Sequence, residues 1–552
     1  MEKNLLHREE LDLNDDVREL VILIRKQCSE SKSVIGKEES KLRNKVVSVV
    51  EGIKNEIVPD KSNLAEIFSR LKIRDSSSCI AEIEALQEEI HNRCDEQSKS
   101  EIVALIGLVR FAKCVLFGAS TPSSSTENQW WKQPSEVVVP TDFRCPISLE
   151  LMQDPVVVAT GQTYDRDSIK LWIDSGHNTC PKTGQTLAHT EVIPNHALKN
   201  MIILWCREQK IHFVVESVSR KTGTRLTNKV ALEATKMMAS FLVNKLKFHV
   251  NISVSNTIEL NDIVYELRVL AKTDSEIRTY IAEAGAIPHL VRYLSFETGL
   301  QNPSLQVHVI TTILNLSIQE ANKAMIMDTD GTLNGVIEVL VSGATWEAKA
   351  NAAATVFSLT GVVAYRRRLG KMTRVVSGLI QLARCGPEDA RRDALAAILN
   401  LAGDRETVVR LVEGGVVEMA VDAMAVLPEE AITILEAVVR RGGLVAVAAA
   451  YVGIRKLGCV LREGSEMARE SAAATLVTMC RKGGSEILAE LAAISGVERV
   501  IWELIAVGTV RGRRKAATLL MILRRWMAGL DGAESEQFTT TISSSTTLAV
   551  AQ

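Results

Sequence analysis

Apolar residues recur at helical spacing along the first 118 residues of the chain. Three successive faces follow this period, and they consist of Val17, Leu20, Val21 and Ile24, then Val46, Val47, Val50 and Ile53, then Ile80, Ile83, Leu86 and Ile90. Spacings of three and four place such residues on one side of a helix. A last helix runs from Ser98 to Phe117, and residues 119–138 are then rich in Ser, Thr and Pro. The pattern predicts a helical bundle over 1–118 and a flexible linker over 119–138.

A different periodicity fills the C-terminal half of the chain. An apolar phrase after a glycine-led turn recurs at intervals of 46, 42, 42, 37 and 43 residues, and it ends at Leu294, Leu340, Leu382, Met424, Leu461 and Leu504. Alanine-rich helical phrases lie between these positions, as at 348–361 and 391–404. A period in the low forties is typical of an armadillo or HEAT solenoid. We therefore predict armadillo-type repeats over 229–530, with a groove that binds an extended protein partner.

The remaining C-terminal segments are less regular. Residues 214–228 are predicted to be a polar connector, and the Ser/Thr-rich residues 531–552 a disordered tail. The run LVAVAAAYVGI, at 444–454, is shorter than the roughly 18 residues that a membrane-spanning helix needs. It predicts a buried helix and no integral membrane association. Basic clusters at 365–368, 391–392 and 511–515 are interpreted as a solvated face of the solenoid, and the alternatives are a groove lining for an acidic partner or a nuclear signal.

Residues 139–213 combine the alternating pattern of β-strands with the spacing of apolar residues typical of helices. The pattern predicts a strand over Val156–Val158, a turn at 159–162 and a return strand at 163–164. Asp165 is predicted to cap a helix whose apolar side holds Ile169, Trp172 and Ile173. A second helix is expected after Pro194, with an apolar stripe of Leu198, Met201, Ile202 and Trp205. The segment is therefore expected to be a small α+β domain.

Two Cys-Pro pairs in this segment invite a zinc interpretation. Cys145 and Cys180 each precede a proline, but no second thiol follows either at the C-x2-4-C spacing that such a site requires. We therefore expect no metal, and loops that are held by packing and hydrogen bonds. Cys180 as a thioester-forming nucleophile, with His177 three residues away, is a weaker alternative.

Composition narrows the class of partner. The chain has 65 basic and 67 acidic residues, so no overall field favours nucleic acid. Its ten cysteines are scattered without close pairs, which is typical of reduced thiols. These observations predict a cytoplasmic or nuclear protein that does not bind nucleic acid, and no motif in the sequence indicates a cofactor.

The motifs CPIS, DPV, GQTYDR, CPKTGQ and IPN of the central segment together resemble the plant U-box, a zinc-free relative of the RING domain. The order of helical domain, U-box and armadillo repeats is similar to that of plant U-box/armadillo E3 ubiquitin ligases that carry a U-box N-terminal domain. The resemblance implies a mostly α chain. It also implies a role in plant stress, defence or hormone signalling.

The resemblance further implies how such a protein works. The U-box would recruit a ubiquitin-conjugating enzyme (E2) charged with ubiquitin, through Ile147, Leu149, Trp172, Pro181 and Lys182. No residue of this chain would be catalytic, because the domain positions the E2 thioester for attack by a substrate lysine. Some family members have an activating arginine where this chain has Gly184, and Lys182 is the nearest cation.

Other residues of the segment are given structural roles. Cys145 and Cys180 match non-catalytic positions of the family, Tyr164 and Asp165 are expected to hold the hairpin to the helix, and Asn195 is expected to link the loops. The armadillo groove would bind the protein substrate. Assembly into a homo-oligomer stays open, because some U-boxes pair.

Two rival functions compete with a ligase. One is a non-catalytic armadillo adaptor with an inactive U-box, which an assay for ubiquitin chains would distinguish. The other is an armadillo-type nuclear import receptor. That class presents repeated Trp and Asn ladders, whereas here the phrases carry Asn at 315 and 400 and Trp346 stands alone among the central repeats.

Overall fold

The computed structural model describes residues 37–92, 96–118, 140–147, 151–174, 178–183, 185–208, 229–248, 254–273 and 275–529. The chain forms two compact units, one of residues 1–118 and 224–238 and the other of residues 119–223 and 239–552. The helix face that begins at Val17, the linker at 119–138, and the tail at 531–552 lie outside the described residues.

The described part of the N-terminal segment is helical. Its helices are α1 (Lys37–Lys54), α2 (Lys61–Arg70), α3 (Ser76–Asn92) and α4 (Glu96–Phe117). The carboxylate of Asp60 accepts the N–H groups of Ser62 and Asn63, which fixes the start of α2. Val49 and Ile53 form the buried face of α1, whereas the predicted core residue Val47 is 46% exposed.

The central module, residues 140–208, is built on a small antiparallel sheet. Strands β1 (Pro155–Val157) and β2 (Thr163–Asp165) form the predicted hairpin, in which Val156 pairs with Tyr164. Helix α5 (Arg166–Asp174) follows directly, and helix α6 spans His196–Glu208. A third strand, β3 (Ile193–Pro194), pairs with the other edge of β1 and gives the order β2-β1-β3.

The sequence did not predict β3, because two residues that include a proline show no alternation. A stripe residue of α6 also differs from expectation. Ile202 is fully buried, and Leu198 and Trp205 pack against the core, but Met201 is 57% exposed.

Helices make up the C-terminal part of the chain. They begin with α7 (Lys229–Phe248), α8 (Val254–Thr273), α9 (Ser275–Glu283), α10 (Ala286–Val291), α11 (Phe296–Gln301), α12 (Pro303–Ile318), α13 (Glu320–Asp328), α14 (Thr332–Ser342) and α15 (Trp346–Thr360). They continue with α16 (Val363–Gly370), α17 (Thr373–Cys385), α18 (Glu388–Leu401), α19 (Arg405–Glu413), α20 (Val416–Ala423), α21 (Pro428–Arg441), α22 (Gly443–Ala450), α23 (Ile454–Glu463), α24 (Glu466–Ala492), α25 (Val497–Val507) and α26 (Val510–Met527).

The predicted solenoid is present. The six apolar positions that mark the period are all buried, as expected if each repeat covers its neighbour. Glycines in the left-handed conformation precede the helices that end in these phrases, at Gly285, Gly331, Gly415 and Gly496. A side chain there would strain the backbone, so glycine fixes these four turns of the six that the period marks.

The longest helices of the repeats stack side by side. We call α12, α15, α18, α21, α24 and α26 the third helices. Side-chain amides and hydroxyls link these helices to their neighbours. Asn315 Nδ2 on α12 donates to the carbonyl of Arg268 on α8, and Ser358 Oγ on α15 donates to the carbonyl of Ser317 on α12. Such bonds supply partners for polar groups that the stacking would otherwise leave buried and unpaired.

The apolar run at 444–454 is part of this solenoid. The segment Gly443–Glu463 is the one stretch, within the described residues, that has the length and composition of a membrane-spanning helix. In the structure it is two helices, α22 and α23, separated by a 3-10 turn at Tyr451–Gly453. Val447, Ala450 and Leu457 are fully buried, whereas Leu444, Val445 and Val452 are 41%, 63% and 67% exposed, so the expectation of a buried helix holds for one face of the segment and is wrong for the other.

A buried charge network joins the last three third helices. Arg511 on α26 contacts Glu436 on α21 at 2.5 Å and Glu470 on α24 at 2.6 Å. Both carboxylates are nearly buried, and Thr509 Oγ1 also donates to Glu470. Burial lowers the pKa of Arg511, but the charges of Glu436 and Glu470 outweigh it and raise that pKa overall. The interpretation of this basic cluster as a solvated face is therefore wrong at Arg511.

Candidate functional site

The two loops of the central module meet at a buried tyrosine. Tyr164 on β2 is fully buried, and its hydroxyl oxygen accepts the N–H of Lys182 at 3.0 Å. The same hydroxyl lies 3.0 Å from Cys180 Sγ, to which its own proton can point. Burial raises the pKa of Tyr164 well above its usual value, so this proton stays in place. The second loop is thereby attached to the sheet.

The other cysteine attaches the first loop. Cys145 Sγ is fully buried and accepts the N–H of Asp165 at 3.3 Å. Oδ1 of Asp165 accepts the N–H groups of Gln153 and Asp154, at 2.8 and 2.9 Å. These bonds of Asp165 go to the segment before β1, whereas the sequence predicted a helix cap. Burial raises the pKa of Asp165, and the two N–H groups partly offset that rise.

Asn195 ties the start of α6 to the hairpin. Its Oδ1 accepts the N–H of Leu198 at 3.0 Å, and its Nδ2 donates to Thr163 Oγ1 at 3.2 Å. Its backbone N–H donates to the carbonyl of Pro155 at 2.8 Å. One residue thus joins a helix terminus to both strands of the hairpin.

An ion cluster that no sequence motif indicated also links the elements of the module. Asp154 contacts Arg166 at 2.5 Å and Lys199 at 3.2 Å, which links the segment before β1 to α5 and α6. Burial raises the pKa of Asp154, but the hydrogen bonds and charges of the two cations outweigh it and lower that pKa. In the sequence, the ion cluster is marked only by an aspartate before Pro155. Its two partners lie 12 and 45 residues further along the chain, so no local pattern indicates the cluster.

The structure places four of the five predicted E2-binding residues. Ile147 and Trp172 are half-buried and pack against the core of the module, and Nε1 of Trp172 donates to the carbonyl of Thr179 at 2.7 Å. Pro181 is buried and Lys182 is exposed. Leu149 lies outside the described residues.

Cys145 and Cys180 each have a hydrogen-bonding partner on strand β2. Cys145 and Cys180 are free thiols, and within the described residues no group of three or more His, Cys, Asp or Glu side chains could hold a metal ion. The sulfur of Cys180 faces the hydroxyl of Tyr164. His177 and Gly184 lie outside the described residues. The contacts that are visible provide no base for a thioester-forming Cys180.

A small sheet-and-loop module, whose two loop cysteines hydrogen-bond to the hairpin, followed by armadillo repeats defines the class of U-box proteins with an armadillo region. Residues 139–211 match the U-box domain, and residues 243–543 match the plant U-box protein ARM repeat region. The chain belongs to the plant U-box/armadillo-repeat family. Proteins with a U-box are generally E3 ubiquitin ligases.

Plant relatives resemble the chain over almost its whole length. U-box domain-containing protein 16 of Arabidopsis thaliana is 59% identical over 526 residues, which cover 95% of this chain and 76% of that protein. U-box domain-containing protein 17 of the same plant is 35% identical and covers 94% of this chain and 72% of its own length. U-box domain-containing protein 4 of Oryza sativa subsp. japonica is 31% identical to this chain. The match covers 93% of this chain and 72% of that protein.

Proposed function

We propose that this protein is an E3 ubiquitin ligase whose central module recruits a ubiquitin-charged E2. The observation that carries the proposal is the pair of loops held to the sheet by hydrogen bonds of Tyr164, Cys145 and Cys180. These bonds fix the loop that begins at Cys145 and the loop that contains Pro181 at the ends of one small sheet. Of the apolar groups assigned to E2, Ile147 and Pro181 lie in these loops, and Trp172 donates a hydrogen bond to the carbonyl of Thr179, just before Cys180.

The proposed mechanism is positioning. The amine of a substrate lysine attacks the carbonyl carbon of the E2 thioester, an amide bond forms, and the E2 thiolate leaves while the amine proton is released. The central module contributes a fixed orientation of the thioester, which lowers the entropic part of the barrier. Lys182, which is exposed beside Pro181, is the cation proposed to touch the bound E2 or ubiquitin.

The solenoid is proposed to select the substrate. Stacked third helices present a continuous surface to an extended partner, as in other repeat proteins. We propose that the protein acts in the cytoplasm or nucleus, which its free, scattered cysteines support.

Reconstitution tests the activity. The full chain is incubated with E1, a panel of E2 enzymes, ubiquitin and ATP, and ubiquitin chains are followed by immunoblot. We expect chains with at least one E2, and a reduction of about tenfold for Ile147→Ala, since a central apolar anchor contributes on the order of 1–2 kcal/mol to such an interface.

A matched variant controls this test. Ile193→Ala removes the same atoms from the same module at a residue that is 63% exposed and is not assigned to E2. It should leave the rate unchanged. Failure of the wild-type chain with every E2 would instead support the non-catalytic adaptor, and equal losses in both variants would contradict the site.

A further inference from the structure

The central module makes specific contacts with the third helices of the solenoid. Gln185 Nε2 donates to Glu470 Oε1 on α24 at 3.2 Å. A methyl group at Gly361, which follows α15, would lie 3.8 Å from Cζ3 of Trp172. These two solenoid positions lie just after α15 and on α24, so the module lies along several repeats.

A charge pair supports the same placement. Asp393 lies on α18, between Gly361 and Glu470 in the row of third helices. The positive charge of Arg144, in the module, acts on the carboxylate of Asp393. Burial raises the pKa of Asp393 to about 7, an effect that Arg144 partly offsets and the nearby Asp389 reinforces. A carboxylate on an open helix face would not be desolvated in this way.

The residues of the module that make these contacts belong to its proposed E2-binding segments. Arg144 directly precedes Cys145 in the first loop, Trp172 is itself an assigned E2 contact, and Gln185 lies in the second loop with Pro181. Pro181 is buried and Trp172 is half-buried. An E2 and the solenoid therefore need the same surface.

We propose that the third-helix surface of the solenoid, around Gly361, Asp393 and Glu470, is an intramolecular docking site for the E2-binding face of the central module. In this closed state the solenoid excludes E2. A substrate that occupies the same surface would release the module, which couples substrate binding to ligase activity. This coupling rests on the proposed ligase function, whereas the contact itself does not.

The character of the contacts fits a reversible lock. Among the described residues they include one hydrogen bond to a carboxylate, the charge of an exposed arginine acting on Asp393, and the close approach of Trp172 to Gly361. Interfaces with few polar contacts of this kind are weak and open readily. The closed state is thus poised for displacement by a competing partner.

Charge reversal on the solenoid tests the lock without altering the module. In Asp393→Arg the full chain should discharge a ubiquitin-charged E2 to free lysine about two- to tenfold faster than wild type, because two like charges now face each other. Asp393→Asn, which removes the charge without adding bulk, should give a smaller increase. The double variant Arg144→Asp/Asp393→Arg should return toward the wild-type rate.

Glu463→Arg is the matched control, since it makes the same charge change at an exposed residue of α23. It should leave the discharge rate at the wild-type value. A discharge rate that is unchanged in Asp393→Arg and Asp393→Asn, with circular dichroism like that of wild type, would overturn the proposal. So would a double variant that is as fast as Asp393→Arg.

A measurement that does not depend on activity separates the two hypotheses. With a photoreactive benzoylphenylalanine in place of Gln185, irradiation of the full chain should join this position to the peptide 466–475, as mass spectrometry would detect. A cross-link in a chain that is inactive with every E2 keeps the contact and rejects the ligase. An active chain without this cross-link rejects the contact.

Discussion

The central module and the solenoid organise their polar groups in different ways. In the module, Tyr164, Asp165 and Asn195 each make two or more hydrogen bonds to segments other than their own, and none of these arrangements is repeated elsewhere in the described part of the module. In the solenoid, one kind of link recurs from repeat to repeat, as from Asn315 to Arg268 and from Ser358 to Ser317. The module is held by a few residues that each make several hydrogen bonds, which we call a network. The solenoid is held by a series of similar single hydrogen bonds between neighbouring repeats, which we call joints.

The difference predicts where substitutions matter. Removing a residue with several partners leaves each of those partners buried and unpaired, which costs more than the lost bond itself. Removing one joint of a series leaves the remaining joints intact, because each repeat contacts only its neighbours. The module should therefore be sensitive to single polar changes and the solenoid should tolerate them.

The largest expected loss of stability is at Arg511, which is an exception to the tolerance of the solenoid for single polar changes. Arg511→Met leaves the buried carboxylates of Glu436 and Glu470 without their cation. We expect a loss of about 2–4 kcal/mol in the free energy of unfolding, because an uncompensated buried charge is costly. Urea denaturation followed by circular dichroism measures it.

Arg499→Met serves as the control for that change. Arg499 forms an exposed pair with Glu503 on one helix, so its loss should hardly change stability. If Arg511→Met were as mild as Arg499→Met, the buried network would not contribute to stability.

Tyr164→Phe should have the next largest effect. The variant keeps the ring but removes the acceptor of the Lys182 N–H, and leaves that group unpaired beside Cys180. A loss of about 1–3 kcal/mol is expected in the stability of the module. Hydrogen exchange at the Lys182 amide would show it as faster exchange.

Tyr365→Phe, at a half-exposed tyrosine of the solenoid, removes the same atom as a comparison. Exchange in the module should be unaffected in this variant. Equal protection of Lys182 in wild type and Tyr164→Phe would contradict the role of the hydroxyl.

The smallest expected effect compares one residue type in both regions. Asn195→Ala removes a helix-capping acceptor and the donor to Thr163, and should cost about 1–2 kcal/mol. Asn315→Ala removes one 3.3 Å bond between repeats and should cost about 0.5–1 kcal/mol. Melting temperatures of the two variants under one buffer condition give the order, and a reversed order would contradict the distinction between network and series.

Repetition also explains what could be predicted from the sequence. The solenoid was predictable because a buried leucine at each period reports the same environment many times, as Leu294, Leu340 and Leu382 do. The hairpin was predictable because Val156 and Tyr164 stand in alternating segments around a glycine turn. The strand β3 was not, since Ile193 and Pro194 carry no alternation and gain their pairing only from β1.

The candidate site was predictable only through its motifs. Cys145, Tyr164 and Cys180 stood out by residue type, but the partners of Asp154 depend on how distant segments come together. Met201 fitted a helical stripe and is nevertheless exposed, because the core of the module is too small to cover that whole stripe. The contact between Gln185 and Glu470, 285 residues apart, leaves no local trace in the sequence.

Arg511 also changes how the end of the solenoid should come apart. In most of the row, each third helix is linked to the one beside it, so opening can proceed one repeat at a time. Arg511 reaches from α26 to both α24 and α21, and so spans three successive third helices. The last three repeats should therefore unfold together as one cooperative unit. Local unfolding of the solenoid should then not begin at its C-terminal end.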